Sequence, residues 1–479
     1  MKKKSMSLIR ALMKQEIPLL PGDSFSRPAP AHIFNKFVFG ILGKGALLSP
    51  ITKLFKDTKE LDPIIGENSD RETREEFLKS LNVLINSDKR SFGSPSFSSF
   101  LLLTSELAGA DPSDDDYGKA LSSIFSSVQR SKIEDLLRKI LNPDTSGDII
   151  SLTIKKIQDT YSLTGAKDVS NNQNSVQSSN KSVYSEYIFN VLVSAMEDMS
   201  LVANSSLRIE SIQKLSTFLT GIVAFGLLFD SSDLNLTIKR DMSRKDSIEV
   251  KNKPSKVLGI VCYTGNPPGN PRSALVRLSQ LSLKQAVINS HSGVRSAFVK
   301  LIDEANSKFD KGNDSIENLV LSRVRGEDAR NLVKALLESG VKDNPTEAFN
   351  KLYPLSSFSS AFRTLSGKVG LAGPIKGTGE PRIFFETNFL DSLVFFLSKH
   401  GDSFGDFVDN CFENLGIIVG RPSTIDLDDM DRLQALAGRI ADVDECLDLA
   451  HENMRLRLVR SGLAKEFSDG YTIMVRDEF

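Results

Sequence analysis

The stretch 384–479 constrains the fold most, because helical period, helix breakers and a hairpin signal succeed one another there in order. Phe389, Leu390, Leu393, Val394, Phe396 and Leu397 recur at helical spacing behind Glu386-Thr387-Asn388, and His400-Gly401 ends the run. Ser403 is placed to cap a second helix with the apolar stripe Phe404, Phe407, Val408, Cys411, Phe412 and Leu415, which Gly416 stops. The β-branched run Ile417-Ile418-Val419 and the loop Gly420-Arg421-Pro422-Ser423-Thr424 come next. A third helix is predicted over 426–439, acidic first and basic last as the helix dipole favours. Val443, Leu447, Ala450, Met454 and Leu458 predict a fourth over 443–461, with Gly462 as its left-handed cap. Beyond it, 463–467 and 471–475 read as strands joined by Ser468-Asp469-Gly470. Helix, helix, two-stranded hairpin is the order of a winged helix.

A wing invites a nucleic-acid reading, with Arg455, Arg457 and Arg460 on the helix over 443–461 and Lys465 on the first strand as the phosphate-contacting residues. The charge around them opposes it. From 421 to 479 there are thirteen Asp and Glu against eight Arg and Lys, a net of minus five, whereas a DNA-reading module needs a basic footprint. At ~100° per residue Arg455 lies about 200° from Arg457 and about 140° from Arg460, so at most two of them face one groove. The expectation is a protein-contact or structural winged helix with no more than weak DNA contact.

A chain of 479 residues exceeds a single core and predicts two to four domains. Its 40% hydrophobic and 25% charged residues are those of a globular protein, and a net charge of minus one exerts no overall pull on nucleic acid or an acidic membrane. The odd set Cys262, Cys411 and Cys446 reads as reduced thiols of a cytoplasmic protein. No metal or cofactor is expected, since His32, His291, His400 and His451 lack ligand spacing. Met1-Lys2-Lys3-Lys4 looks like the start of a signal peptide, but Arg10, Lys14 and Glu16 interrupt the apolar run that such a peptide needs, so a basic amphipathic helix is expected. The most apolar run, 215–229, is shorter than the ~20 residues that span a bilayer and reads as a buried core helix, with no membrane partner.

These patterns predict a mainly α, multi-domain helical protein with a small α/β element in the middle and a C-terminal winged-helix-like domain. The N-terminal helical domain is placed at 1–164, with helices over 33–48, 71–86, 96–108, 117–141 and 149–161. Within it, Gly40-Ile41-Leu42-Gly43-Lys44-Gly45 lacks the ending of a phosphate loop and reads as helix packing or a helix end. Asp114-Asp115-Asp116 reads as a solvated helix start. Ser, Asn, Gln and Lys dominate 165–185, a flexible linker. The central helical domain, 186–383, carries a buried strand near 257–263 that runs through a Gly/Pro loop into a helix near Ala274. Arg272 and Arg277 there are candidate phosphate ligands, although Pro267, Pro268 and Pro271 remove amide donors and favour an inert connection. Asp246, Glu249 and Lys251 have the acid-x-Lys spacing of metal-dependent nucleases, a triplet common by chance. The basic loop 367–381 reads as a surface connection. The C-terminal helical/winged-helix domain is 384–479.

The tail sequence Leu456-Arg457-Leu458-Val459-Arg460-Ser461-Gly462-Leu463, leading into Ser468-Asp469-Gly470-Tyr471, resembles the C-terminal ends of large accessory subunits of prokaryotic DNA-restriction and antiphage defence clusters, such as phosphorothioation-dependent restriction systems. The resemblance covers about a fifth of the chain and contains no catalytic motif, so it implies no functional residue. Nucleophile, base and nucleotide motifs have no local signature. The sequence therefore points to a non-enzymatic scaffold or adaptor subunit of a prokaryotic DNA-handling assembly, with other protein subunits as partners. The alternatives are a metal-dependent nuclease and a DNA-binding winged-helix subunit.

Overall fold

In the computed structural model the described residues are 5–21, 30–42, 70–76, 117–141, 183–201, 207–242, 259–261, 274–308, 313–368, 370–373, 380–438 and 442–476. They are mainly helical, with strands of two or three residues. The candidates Arg272, Asp246, Glu249 and Lys251, the acidic run at 114–116 and most of the expected linker lie outside the described residues. Among those residues no helix is long and apolar enough to cross a membrane. The apolar run at 215–229 lies inside a longer helix, where Phe218, Leu219, Ile222, Val223, Phe225 and Leu228 are buried.

Packing divides the chain into two units, one of Arg27–Lys181 with Ile188–Val223, the other of Met1–Ser26 with Ala224–Asp477. In the first, helix α2 (Pro30–Leu42) opens on a proline, whose missing N–H and fixed φ suit a first helical turn. It packs against α3 (Tyr117–Ser123), and α4 (Ser127–Leu141) comes next in the chain. Gly40 and Gly118 permit the approach of α2 to α3. A Cβ on Gly118 would lie 2.6 Å from the Phe37 nitrogen and 2.7 Å from Lys36 Cβ, and one on Gly40 would lie 2.8 Å from Ser122 Cβ. Gly40 thus serves helix packing, as its sequence context suggests. Phe37 and Phe125 meet edge to face at 6.3 Å, a favoured aromatic geometry.

The second unit contains α1 (Ser5–Met13), preceding α2 in the chain, which buries Met6, Ile9, Leu12 and Met13. α5 (Val183–Leu201) lies mostly in the first unit and α6 (Leu207–Met242) is divided between the two after Val223; both precede the strand β1 (Gly259–Ile260) in the chain. The 35-residue α7 (Ala274–Lys308) leads to α8 (Asn313–Arg323), α9 (Gly326–Glu338), α10 (Pro345–Leu352) and α11 (Leu355–Lys368). Arg323, on α8, bonds Glu16 just beyond α1 at 2.6 Å. Both side chains are mostly buried, so the pair is desolvated and depends on close geometry.

Aromatic packing joins α7, α10 and α11. Phe349 lies 5.3 Å from Phe298, 5.4 Å from His291 and 5.5 Å from Tyr353, ring to ring, and Phe358 closes on His291 at 5.8 Å. The Tyr353 hydroxyl donates to the Pro21 carbonyl at 2.8 Å, which satisfies a buried polar group while tying the N-terminal segment down. His291 Nε2 lies 2.8 Å from the Tyr353 carbonyl and therefore carries the proton. Burial, above all, pushes the His291 imidazole below its ordinary value; the Tyr353 carbonyl opposes that shift and Arg295 adds to it. As pH falls the unfolded chain takes up this proton first. The stabilising effect of neutral His291 is complete above about pH 6.5 and is lost as pH falls toward the lowered folded value. The urea midpoint of the wild type is expected to drop between about pH 7 and 5.5, and that of His291→Gln to drop less. Equal drops would assign the loss to other groups.

The strand at 259–260 emerges where the sequence places it, and its partner lies far along the chain. β1 runs parallel to β4 (Ile417–Ile418), with Gly259 opposite Ile417 and Ile260 opposite Ile418. Helix α7 satisfies the strand's outer edge, because Ser279 Oγ donates to the Ile260 carbonyl at 2.6 Å and Ser282 Oγ accepts from the Ile260 N–H at 3.4 Å. Ile260, Leu275, Val276, Leu278, Phe412, Ile418, Leu433 and Leu447 share one buried cluster. β2 (Ala372–Gly373) and β3 (Arg382–Ile383) form an antiparallel pair, and Val261 bridges to Ile383.

Candidate nucleic-acid interface in the C-terminal tail

The tail carries α12 (Thr387–Leu397), α13 (Phe404–Leu415), α14 (Leu427–Ala437) and α15 (Val443–Ser461), and then β5 (Ala464–Glu466) and β6 (Thr472–Met474). Local chemistry sets these boundaries. Ser403 and Asp406 form a reciprocal capping box, Asp426 and Asp442 accept amide bonds at the starts of α14 and α15, and Gly416 and Gly462 end their helices at φ 62° and 78°. Glu386, at the start of α12, makes no side-chain cap bond. Phe467 donates to the Tyr471 carbonyl at 2.8 Å and closes the turn over Ser468-Asp469-Gly470. The hairpin docks on the start of α13, where Gly401 donates to the Met474 carbonyl at 3.0 Å and Met474 to the Asp402 carbonyl at 2.8 Å.

Arg455 is held by carboxylates. Its guanidinium meets Glu452 through Nε at 2.9 Å and Nη2 at 2.7 Å, and its Nη1 pairs with Glu466 of β5. The Glu452 bond is the main reason that the Arg455 pKa is raised, and the reciprocal Arg455 bond lowers that of Glu452. This pairing joins α15 to the hairpin and directs the arginine inward. Arg457 donates to Thr387 Oγ1 at 2.8 Å, at the start of α12. Arg460 and Lys465 are exposed, the lysine 5.4 Å above the Phe467 ring. Of the four predicted cations, two are thus engaged by protein groups and two are exposed. Arg277 is exposed on the first turn of α7.

Sequence reasoning missed Arg421, which pairs with Asp444 and, at 3.0 Å, with Asp448, carboxylates one turn apart on α15. Its amide donates to His451 Nδ1 at 3.2 Å, and His451 stacks edge-on against Phe404 at 4.7 Å. Burial keeps the imidazole below its ordinary value. Gly420 makes that approach possible, since a Cβ there would lie 2.9 Å from His451 Nδ1. Ser423 adds a bond from its amide to Asp409 at 2.7 Å. The available signal was the Asp444/Asp448 spacing, which presents two acids on one helix face. Among the described residues no three His, Cys, Asp or Glu are grouped to hold a metal. Cys411 and Cys446 are buried thiols, and burial pushes both pKa values up.

Comparison with protein-family models, with curated proteins and with solved structures found no match to this chain.

Proposed function

We propose that the chain is a non-enzymatic scaffold or adaptor subunit of a cytoplasmic prokaryotic assembly that handles DNA, of the restriction or antiphage-defence kind. In this reading 384–479 is a winged helix used for protein contact. The engagement of the α15 arginines is the observation that carries it: Arg455 is bound to Glu452 and Glu466, and Arg457 to Thr387. Residues 421–479 around them have thirteen carboxylates against eight cations, which repels duplex phosphates and suits a basic protein face. Leu427 and Leu449, 83% and 45% exposed, add apolar contact surface beside those acids. The resemblance of 456–471 to accessory subunits of restriction clusters supports the choice of assembly.

Affinity capture of the full-length protein from its native host in low salt is expected to retain a stoichiometric protein partner that Glu445→Lys with Leu449→Arg releases. Duplex DNA is expected to bind the purified protein at about 10⁻⁴ to 10⁻⁶ M with no sequence preference. Capture of no partner would remove the adaptor reading. Tight, sequence-selective DNA binding abolished by Arg457→Ala would replace it with a DNA-reading subunit.

A further inference from the structure

Helix α15 presents a stripe of mixed character on the side away from its core contacts. Taken at ~100° per residue from Glu445, the positions Leu456, Leu449, Arg460 and Asn453 fall at about 20°, 40°, 60° and 80°, and Glu452 about 20° to the other side, so the six share one helix face. Val443, Leu447, Ala450, Met454 and Leu458, at about 140° to 220° on the same scale, bury the opposite side. Within the stripe Leu449 is 45% exposed, Asn453 and Leu456 are partly buried, and Glu445 and Arg460 stand exposed at its two ends. Among the described residues neither Glu445 nor Arg460 forms an ion pair. The charges beside the stripe are already matched, Asp444 and Asp448 by Arg421 and Arg455 by Glu452 and Glu466.

The spacing of the stripe is the same from either end. Leu449 stands four positions after Glu445, Leu456 stands four positions before Arg460, and Glu452 and Asn453 form the central pair. From this we propose that α15 docks antiparallel on α15 of a second copy of this chain, about a twofold axis between Glu452 and Asn453. That one rotation sets Glu445 against the partner's Arg460, Leu449 against the partner's Leu456 and Glu452 against the partner's Asn453, and each contact is made twice. A parallel pairing would oppose like charges at both ends. The stripe is about 24 Å long at ~1.5 Å per residue, so the contact lies below the ~1,200 Å² of standard interfaces and the dimer is weak and reversible. The proposal rests on the reading of the tail as a protein-contact surface and names the occupant of α15.

Sedimentation velocity of the purified full-length protein is the test. The wild type is expected to pass from monomer to dimer between about 1 and 300 µM, with a dissociation constant of about 10 to 100 µM. Glu445→Arg and Arg460→Glu each place like charges opposite one another at both ends of the contact. Either is expected to weaken the dimer at least about tenfold with unchanged circular dichroism. Combining the two restores opposite charges and is expected to return the constant to within about threefold of the wild type. The proposal is overturned if the wild type stays monomeric to about 300 µM, if it assembles beyond a dimer, if either single variant dimerises like the wild type, or if the combination is as weak as the singles. A partner captured from the host by a chain that sediments as a monomer would keep the adaptor reading and remove this one; a dimer that captures nothing from the host would do the reverse.

Discussion

Gly118→Val is expected to destabilise the unit of Arg27–Lys181 and Ile188–Val223 by about 3 kcal/mol or more, the upper range of overpacking. The added side chain would meet the Ile33 carbonyl, the Phe37 amide nitrogen at 2.6 Å and Lys36 Cβ at 2.7 Å. The first two are backbone atoms of α2 and cannot rotate away, so relief requires the helices to separate. Separation exposes the buried Phe37, Leu121 and Phe125. A fall in melting temperature of about 6–12 °C would register this cost. Gly405→Ala is the control, an exposed glycine in α13 where a Cβ meets only Ser403 Oγ at 3.5 Å. It is expected to be neutral or stabilising by up to about 1 kcal/mol. Comparable losses in both variants would mean that α2 and α3 do not approach as closely as described.

Phe349→Ala is expected to cost the other unit about 3–5 kcal/mol, measured as a lowered urea midpoint at pH 7. Phe349 is fully buried and touches His291, Phe298 and Tyr353, side chains from α7 and from the end of α10 that cannot all collapse into the space left. Phe349→Leu keeps most of the volume and is expected to cost less than about 1.5 kcal/mol. If alanine and leucine behave alike, the cluster is not the packed centre that the ring distances describe.

Local order was legible wherever it has a local cause. The Ser403 capping box, the Gly416 and Gly462 ends, the apolar stripe of α13 and the Ser468-Asp469-Gly470 turn arise from interactions within a few residues. The cations of α15 were legible as positions and not as chemistry. Whether Arg455 meets phosphate or carboxylate depends on Glu466, eleven residues away across a helix end, and for Arg457 on Thr387, in another helix.

The sequence by itself determined that this chain is mainly helical, where the tail helices start and stop, and which side chains form their apolar stripes. Period, caps and left-handed glycines act over one or two turns, so nearby residues suffice to specify them. Only the tertiary structure decided that β1 pairs with Ile417 and Ile418, that Tyr353 anchors the Pro21 carbonyl, and that Gly118 accepts a helix against its backbone. Each joins segments distant in sequence, and the apolar residues of one stripe are compatible with many such partners. Shape complementarity and the pairing of buried polar groups select among them once the chain has collapsed.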